Sequence, residues 1–323
     1  MLKIPQVLDA QAAYALAVQQ GRNIETAIYR RRYPNHDYAS HVPVVTEGNP
    51  WAIGTQFRIS DWVGKAKFVS GKAKDIPFVK TTRELASHDF LMVAAGWEWS
   101  IEEIEQAALY GVNVRDDDAL AGDTAVQHKL YDVCMRGDTE VNWTGLVNSS
   151  TVPSALAGAT GSGSSTFWSA KSVDNVLLDI NTGLSTVRTQ TGEVEMADTV
   201  RLPPAAFRDI ATRRLGTDGS MGTVLDYVRR NNIYTAETGN ALDIAPLRDL
   251  ADASTTTERG RAIYYRKSPE VLRFHLPLPR RVLPVNQTGL MAFEQGVIAR
   301  TGGLEIRLPK AMFYQDGITA EPS

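Results

Sequence analysis

Residues 51–95 constrain this chain more than any other stretch. Trp51–Ser60 and Trp62–Ser70 are strand-like, with Phe57, Ile59, Val63, Phe68 and Val69 among them, and Phe78–Thr82 and Phe90–Ala94 follow. Lys65, Lys67, Lys72, Lys74 and Lys80 punctuate the stretch, many at alternating positions. The pattern predicts a twisted β-hairpin with lysine-blunted edges. A lone hairpin is marginal in water, and this one carries too little apolar surface to stand alone. It must lie on something else.

The next segment supplies a rigid element. Ser100 and Glu103 form a capping box, in which the serine hydroxyl accepts from the Glu103 amide and the glutamate reaches back. A helix should start at Ile101, with Ile104, Ala108, Leu109 and Val112 on one stripe and Leu120, Ala121, Ala125, Leu130, Val133 and Cys134 continuing it. Unbroken to Arg136 it would span roughly 54 Å at 1.5 Å per residue. Gly111 and the Asp116-Asp117-Asp118 run are the places where it could bend or break.

Upstream, residues 8–30 read as a helix ending in Arg30, Arg31 and Arg32, which suit a helix C-terminus. Tyr33-Pro34 then forces an extended chain. Residues 34–50 are rich in turn formers and read as a wandering arm without a core of its own. Downstream, the small residues 154–165 read as a linker or loop. A helix is expected at Val173–Thr189, a strand at Thr199–Leu202, a helix opened by Pro203-Pro204 and running to about Leu215, and a short helix at Met221–Asn231. Strands should then dominate: Arg261–Lys267, Val271–Leu278, Leu290–Val297, Leu304–Leu308 and Ala311–Tyr314.

Charge is segregated along the chain. Residues 1–80 carry a net +5, residues 81–200 a net −12 and residues 201–323 a net +4, although the total is only −3. A basic first quarter beside an acidic middle favours electrostatic pairing within one chain or between copies. The balance lacks the basic footprint of a dedicated nucleic-acid reader.

Chemistry-bearing motifs are absent. Gly158–Ser165 has no G-K-[ST] ending and is no phosphate loop, and Gly219-Ser220-Met221-Gly222 is not a nucleophile elbow. His36 and His41 lack helical ligand spacing, and Asp116–Asp118 lacks the alternating ligands of a calcium loop. His128 and Cys134 are six apart, which helical geometry does not bring together; Cys134 reads as a core residue. Arg136-Gly137-Asp138 is a chance-length match to an adhesion tripeptide, and the Asn142, Asn148 and Asn286 acceptor motifs carry no meaning without secretion. No catalytic, cofactor-binding or metal site is expected. The single cysteine excludes an intrachain disulfide, and no apolar run approaches the ~18 residues of a membrane span. No secretory signal is visible, so a reducing intracellular setting is expected.

Three motifs, in order, carry a resemblance: Gly96-Trp-Glu-Trp-Ser-Ile-Glu-Glu-Ile-Glu105, then Gly145-Leu-Val-Asn148 with Val152-Pro153, then Arg300-Thr-Gly-Gly-Leu-Glu-Ile-Arg-Leu-Pro-Lys-Ala-Met-Phe-Tyr-Gln-Asp-Gly-Ile318. The chain resembles the phage major capsid proteins of the Hong Kong 97-type fold over nearly its whole length. That resemblance implies an α+β, Hong Kong 97-like capsid fold. Residues 1–50 would be the N-terminal arm, 51–95 the extended loop (the β-hairpin) over a neighbouring subunit, and 96–171 the peripheral domain with spine helix 101–136. Residues 172–285 would be the axial domain, and 286–323 would return to the peripheral domain.

It further implies a structural subunit, not an enzyme, that self-assembles as hexamers and pentamers around double-stranded DNA. Portal, separate scaffolding and decoration proteins would be partners, with no membrane, in a virion assembled in the host cytoplasm. The expected inter-subunit contacts are Arg30, Arg31, Arg32, Lys65, Lys67, Lys72 and Lys74 against Glu102, Glu105, Asp116 and Asp117. An encapsulin-like nanocompartment shell is the nearest alternative. A soluble α/β hydrolase is a more distant one, and would need convergent carboxylates or a nucleophile–base pair that the sequence does not display.

Overall fold

The structure, a computed structural model, describes residues 36–63, 68, 78–110, 114–216, 222–254 and 260–319. The helix expected over residues 8–30 lies outside the described residues. From His36 a turn closes with Val42 N–H donating to Tyr38 O at 3.0 Å, and Val44–Val45 form a short strand, β1. Strands β2 (Gly54–Val63) and β3 (Lys80–Asp89) pair antiparallel along their whole length, from Gly54 opposite Asp89 to Val63 opposite Lys80, and among the described residues they pair with no other strand. The expected ribbon is therefore present with different strand limits. Its lysines at 65, 67, 72 and 74 fall in the stretch between the strands, outside the described residues. Strand β4 (Leu91–Ser100) follows at once, so residues 91–95 belong to the body and not to the ribbon.

The capping box forms as the residue types require. Glu103 N–H donates to Ser100 Oγ at 3.2 Å, and Glu103 Oε2 accepts from Ser100 N–H at 2.8 Å. That backbone hydrogen bond, joined by one from the Ser100 hydroxyl, holds the Glu103 carboxyl below the usual range. Helix α1 covers Ile101–Tyr110 and helix α2 covers Val114–Met135. The single spine expected over 101–136 is thus two described helices, and Asp116–Asp118 lies inside the second without interrupting it. The buried face begins at Val126 and runs through Leu130, Tyr131, Val133, Cys134 and Met135. Leu120, expected on that face, is exposed.

After α2 the chain turns through β5 (Gly137–Asp138) and β6 (Trp143–Thr144), which pair antiparallel. Gly137 adopts φ +74°, where a Cβ would sit 2.1 Å from the Trp143 carbonyl oxygen; only glycine fits. The Asn148 side chain accepts from Gly145 N–H at 2.8 Å and donates to Arg136 O at 2.7 Å, which ties the turn to the helix end.

The rest of the chain is β7 (Ser154–Leu156), α3 (Val173–Gln190), β8 (Thr199–Leu202), α4 (Pro204–Thr212), α5 (Val224–Arg230), α6 (Ile233–Thr238) and β9 (Asp243–Pro246). Then come β10 (Arg261–Tyr265), β11 (Leu272–His275), β12 (Leu278–Val282), β13 (Asn286–Gln287), β14 (Ala292–Thr301), β15 (Gly303–Ile306) and β16 (Met312–Asp316). A five-stranded sheet runs β7-β16-β10-β8-β9. In a second sheet β14 pairs along β4 on one side and with β12 and β13 on the other, while β1-β11-β15 make a third.

Two hydrophobic clusters flank the five-stranded sheet. Ile263, Tyr265, Met312 and Tyr314 face one cluster with the α2 residues and Phe274. Ala262, Tyr264 and Phe313 face the other, with Val176, Ile180, Leu184 and Trp168. Strands buried on both faces read as unbroken apolar runs, which is why Arg261–Tyr265 shows no alternation.

Two expectations are corrected here. Residues 36–45 do not wander: Val42 is fully buried in the first cluster, and β1 pairs in parallel with β11, Val44 opposite Phe274. Residues 154–165 are not a free linker, because Ser154–Leu156 pairs in parallel with β16 and Ala157 is buried. Their small side chains let the backbone lie on a sheet edge that takes up its hydrogen bonds. The returning segment 286–323 also divides. Its first part builds the sheet with β4, while Met312–Asp316 crosses into the five-stranded sheet.

Candidate assembly surfaces

The ribbon is fastened at its root. Phe90 N–H donates to Ile53 O at 2.8 Å and closes the hairpin base. Arg300 on β14 grips both legs, with Nη1 donating to Pro50 O at 2.7 Å and Nη2 to Phe90 O at 3.3 Å. His88 Nε2 donates to Gly302 O, and its ring stacks on Trp143 at 5.9 Å. Burial lowers the His88 pKa, and the His275 ring 5.6 Å away lowers it further, although the hydrogen bond to Gly302 opposes this. Gly302 has no room for a Cβ, which would meet the Phe90 ring at 2.7 Å.

Away from the root, apolar side chains face water. Phe68 is fully exposed, and Phe78, at 93%, and Val79 are exposed just before the far end of β3, while Trp51 and Ile53 are exposed at the root itself. Burying each large apolar side chain would gain ~1.5–3 kcal/mol. A second exposed apolar cluster lies where β4 meets α1. Ile101 N–H donates to Met291 O at 2.9 Å, and Ile101, Leu290, Met291, Val282, Leu283 and Val285 are all exposed.

The outer face of the β4–β14 ladder forms a groove of ≈ 540 Å³. Its floor is made by Gly96 directly opposite Gly296, with Ala94 opposite Ile298 on one side. Glu98 and Glu294 lie opposite each other on the other side, a like-charge pairing that disfavours the ladder until a cation neutralises it. No local pattern hints at this arrangement, because the register of β4 against β14 joins residues 200 positions apart, Gly96 and Gly296.

Of the residues expected at contacts, Glu102 and Glu105 are exposed on α1 and Asp117 is half-buried on α2. Asp116 lies in the first turn of α2. Arg30, Arg31, Arg32, Lys65, Lys67, Lys72 and Lys74 lie outside the described residues.

Elsewhere the titratable groups are engaged structurally. His128 Nδ1 pairs with Asp132 at 3.0 Å and its ring lies edge-on to His36 at 4.7 Å, so it does not face Cys134. Cys134 is fully buried, and burial pushes its thiol pKa up. Arg136 and Asp138 of the adhesion-like tripeptide are taken by Asp249 at 2.9 Å and Lys129 at 2.6 Å. Among the described residues no three metal-ligating side chains gather, and no helix is long and apolar enough to cross a membrane.

Residues 64–318 match the major capsid protein family. The chain belongs to that family. It is a major capsid protein, a structural subunit of a shell-forming assembly within the virion. No curated protein sequence matches it. Among solved structures, the capsid of Myoviridae phage XM1 superposes with a TM-score of 0.77 at 18% identity, covering 93% of this chain and 98% of that one. The capsid of a native GTA particle gives a TM-score of 0.63 at 11% identity, over 98% and 100% of the two chains. A chain of Gordonia phage Cozz gives 0.57 at 16% identity, over 99% of each. The fold is shared with these chains, and nothing in the matches favours a nanocompartment shell or a hydrolase.

Proposed function

We propose that this shell subunit assembles as pentamers and hexamers in the Hong Kong 97 manner, closing an icosahedral shell around packaged double-stranded DNA. In this reading residues 1–50 supply the arm, although from His36 onward that segment is fastened to the body. The β2–β3 ribbon is the extended loop, laid over a neighbouring subunit. Helices α1 and α2 form the spine of the peripheral domain, residues 96–171 completed by 286–323. Residues 172–285 form the axial domain at the five- and six-fold centres. Repeated heterologous contacts of this kind close into rings. The subunit acts by assembly and carries out no catalytic step. Portal, separate scaffolding and decoration proteins complete the head in the host cytoplasm.

One observation carries the reading: a two-stranded ribbon that, among the described residues, pairs only with itself and leaves Phe68 and Phe78 exposed. Lysines 65, 67, 72 and 74 between its strands match the acidic stretch of residues 83–140 in a neighbour, with Glu98, Glu102, Glu105, Asp116 and Asp117 included, and Glu294 adds to it at the groove. Arg30, Arg31 and Arg32 add to the basic side. The test reverses charge at Lys65, Lys67 and Lys72 and follows assembly by negative-stain microscopy and sizing chromatography across salt concentrations. Loss of closed particles at low salt is expected. Unchanged assembly at every salt concentration would remove the ribbon contact from the account.

A further inference from the structure

The segment that precedes the ribbon is fastened by an unusual hydrogen bond. Arg201 on β8 is 2% exposed, and its guanidinium is fully engaged. Nη2 donates to Asp243 Oδ2 at 2.7 Å and to Ser40 O at 3.3 Å, Nη1 to Val200 O at 3.2 Å, and Nε to His41 Nδ1 at 3.0 Å. An arginine has donors only. The His41 ring must therefore offer a lone pair at Nδ1, and a proton there would remove the bond and set two cations side by side. The His41 carbonyl oxygen accepts from Tyr265 Oη at 2.7 Å, so this residue is held from both ends.

What His41 holds is a strap across the core. Val42 is buried in the first hydrophobic cluster, and Tyr38 packs on Phe274 at 5.1 Å. β1 supplies β11 with its parallel partner, with Phe274 N–H donating to Pro43 O and Leu276 N–H to Val45 O, both at 2.9 Å. At its start His36 meets the same kind of neighbour, with Arg248 Nη2 3.4 Å from its Nδ1 and the His128 ring beside it.

We propose that residues 36–45 form an acid-released strap, in which protonation of His41 against Arg201 detaches the segment and opens the edge of β11. Among the described residues, four charged groups act on His41. Arg201 and Lys267 oppose its protonation, while Asp37 of the strap and Asp243 of β9 favour it. Burial is the largest influence, and the pKa falls from 6.5 to about 4. At His36, burial, His128 and Arg248 act in the same direction against Asp132 and Asp249. The sign follows from linkage. A histidine whose docked pKa is depressed stabilises docking fully above its free value, and the contribution is lost as pH falls from there toward the docked value. The window is therefore about 6.5 down to about 4. Once open, β11 presents an unpaired edge, which is a template for another strand.

Hydrogen–deuterium exchange on the full chain at pH about 7.5 and about 5 tests this, with rates corrected for intrinsic pH dependence. In the wild type, protection of the amides of residues 38–42, 44 and 45, Phe274 and Leu276 should fall on the order of tenfold at the lower pH, while β10 amides keep theirs. His41→Gln retains an acceptor for Arg201 but cannot take the proton, so its strap should be equally protected at both pH values. Unchanged wild-type protection, an undiminished fall in the variant, or a simultaneous loss at β10 would each overturn the proposal. Should the variant not fold, ring-carbon NMR of wild-type His41 decides. Titration well below the free value, with strap amides moving alongside, supports the proposal, and ordinary titration near 6.5 overturns it.

Discussion

The indole Nε1 of Trp99 donates to Asp118 Oδ2 at 2.8 Å. Trp99 is the penultimate residue of strand β4 and is 3% exposed, whereas Asp118 lies one turn into α2, so this bond ties the strand to the second helix across the whole of α1. It also gives the Asp116–Asp118 run a structural use.

Trp99→Phe keeps most of the buried ring and loses the donor. A hydrogen bond to a charged group contributes ~1.5–3 kcal/mol, so stability measured by denaturant unfolding should fall by about that amount. Asp118→Asn still offers a carbonyl oxygen and should cost clearly less than Asp118→Ala. Equal costs for the two Asp118 variants would show that the indole bond is not what matters.

Local chemistry explains what could be read in advance. The capping box at Ser100 and Glu103, the helix starting at Val173 behind Ser172, and the strand Thr199–Leu202 are each encoded within a few residues, and each is found where expected. The strap at residues 36–45 was not legible, because its turn-rich sequence gains structure only from Arg201 and from β11, far along the chain. The same holds for Ser154–Leu156, whose small residues carry no strand signal until β16 lies beside them. Arg300 has no local signature either, since its acceptors at Pro50 and Phe90 are more than two hundred residues away. The ribbon's need for a partner was visible from composition, but the groove floored by Gly96 and Gly296 depended on a register that only the folded chain reveals.

Gly183 offers a reversal of the usual helix rule. Alanine is favoured over glycine in an exposed helix interior by ~1 kcal/mol. Here a Cβ would stand 2.4–2.6 Å from three ring atoms of Tyr264, which is itself fully buried against β16. Gly183→Ala should therefore destabilise the subunit by ~1–3 kcal/mol, the usual cost of overpacking a core. Thermal unfolding checks this, and a raised Tm would mean that α3 can shift away from the sheet.

Arg300→Met should separate folding from assembly. The substitution keeps a long apolar stem but frees the carbonyls of Pro50 and Phe90, so the ribbon root loses both clamps. Increased amide exchange is expected at Gly54, Thr55 and residues 88–90, with the β10 amides still protected. Closed particles should be lost in the same preparation. Normal particles formed by a subunit with a loosened root would show that root rigidity is not needed for closure.

Glu305 makes the stability of the β11–β15 pair depend on pH. Its carboxylate accepts from His275 Nε2 at 2.6 Å and from Arg307 Nε at 2.9 Å, and it is 6% exposed. Burial alone would raise its pKa, but the hydrogen bonds and charges of His275 and Arg307 outweigh that and lower it below 4.5. A carboxyl depressed in the folded state contributes stability that is fully present above the unfolded value and is lost as pH falls through the folded one. Glu305→Gln removes the charge and leaves His275 and Arg307 facing a neutral amide. Breaking one partner of a buried pair typically costs ~3–5 kcal/mol, so a loss of a few kcal/mol is expected near neutrality. The gap between wild type and variant should then narrow as pH drops below 4.5, because the wild-type carboxyl is being neutralised too. Urea unfolding of both proteins across that range measures it, and a gap that stays constant with pH would show that packing, not charge, holds this strand pair.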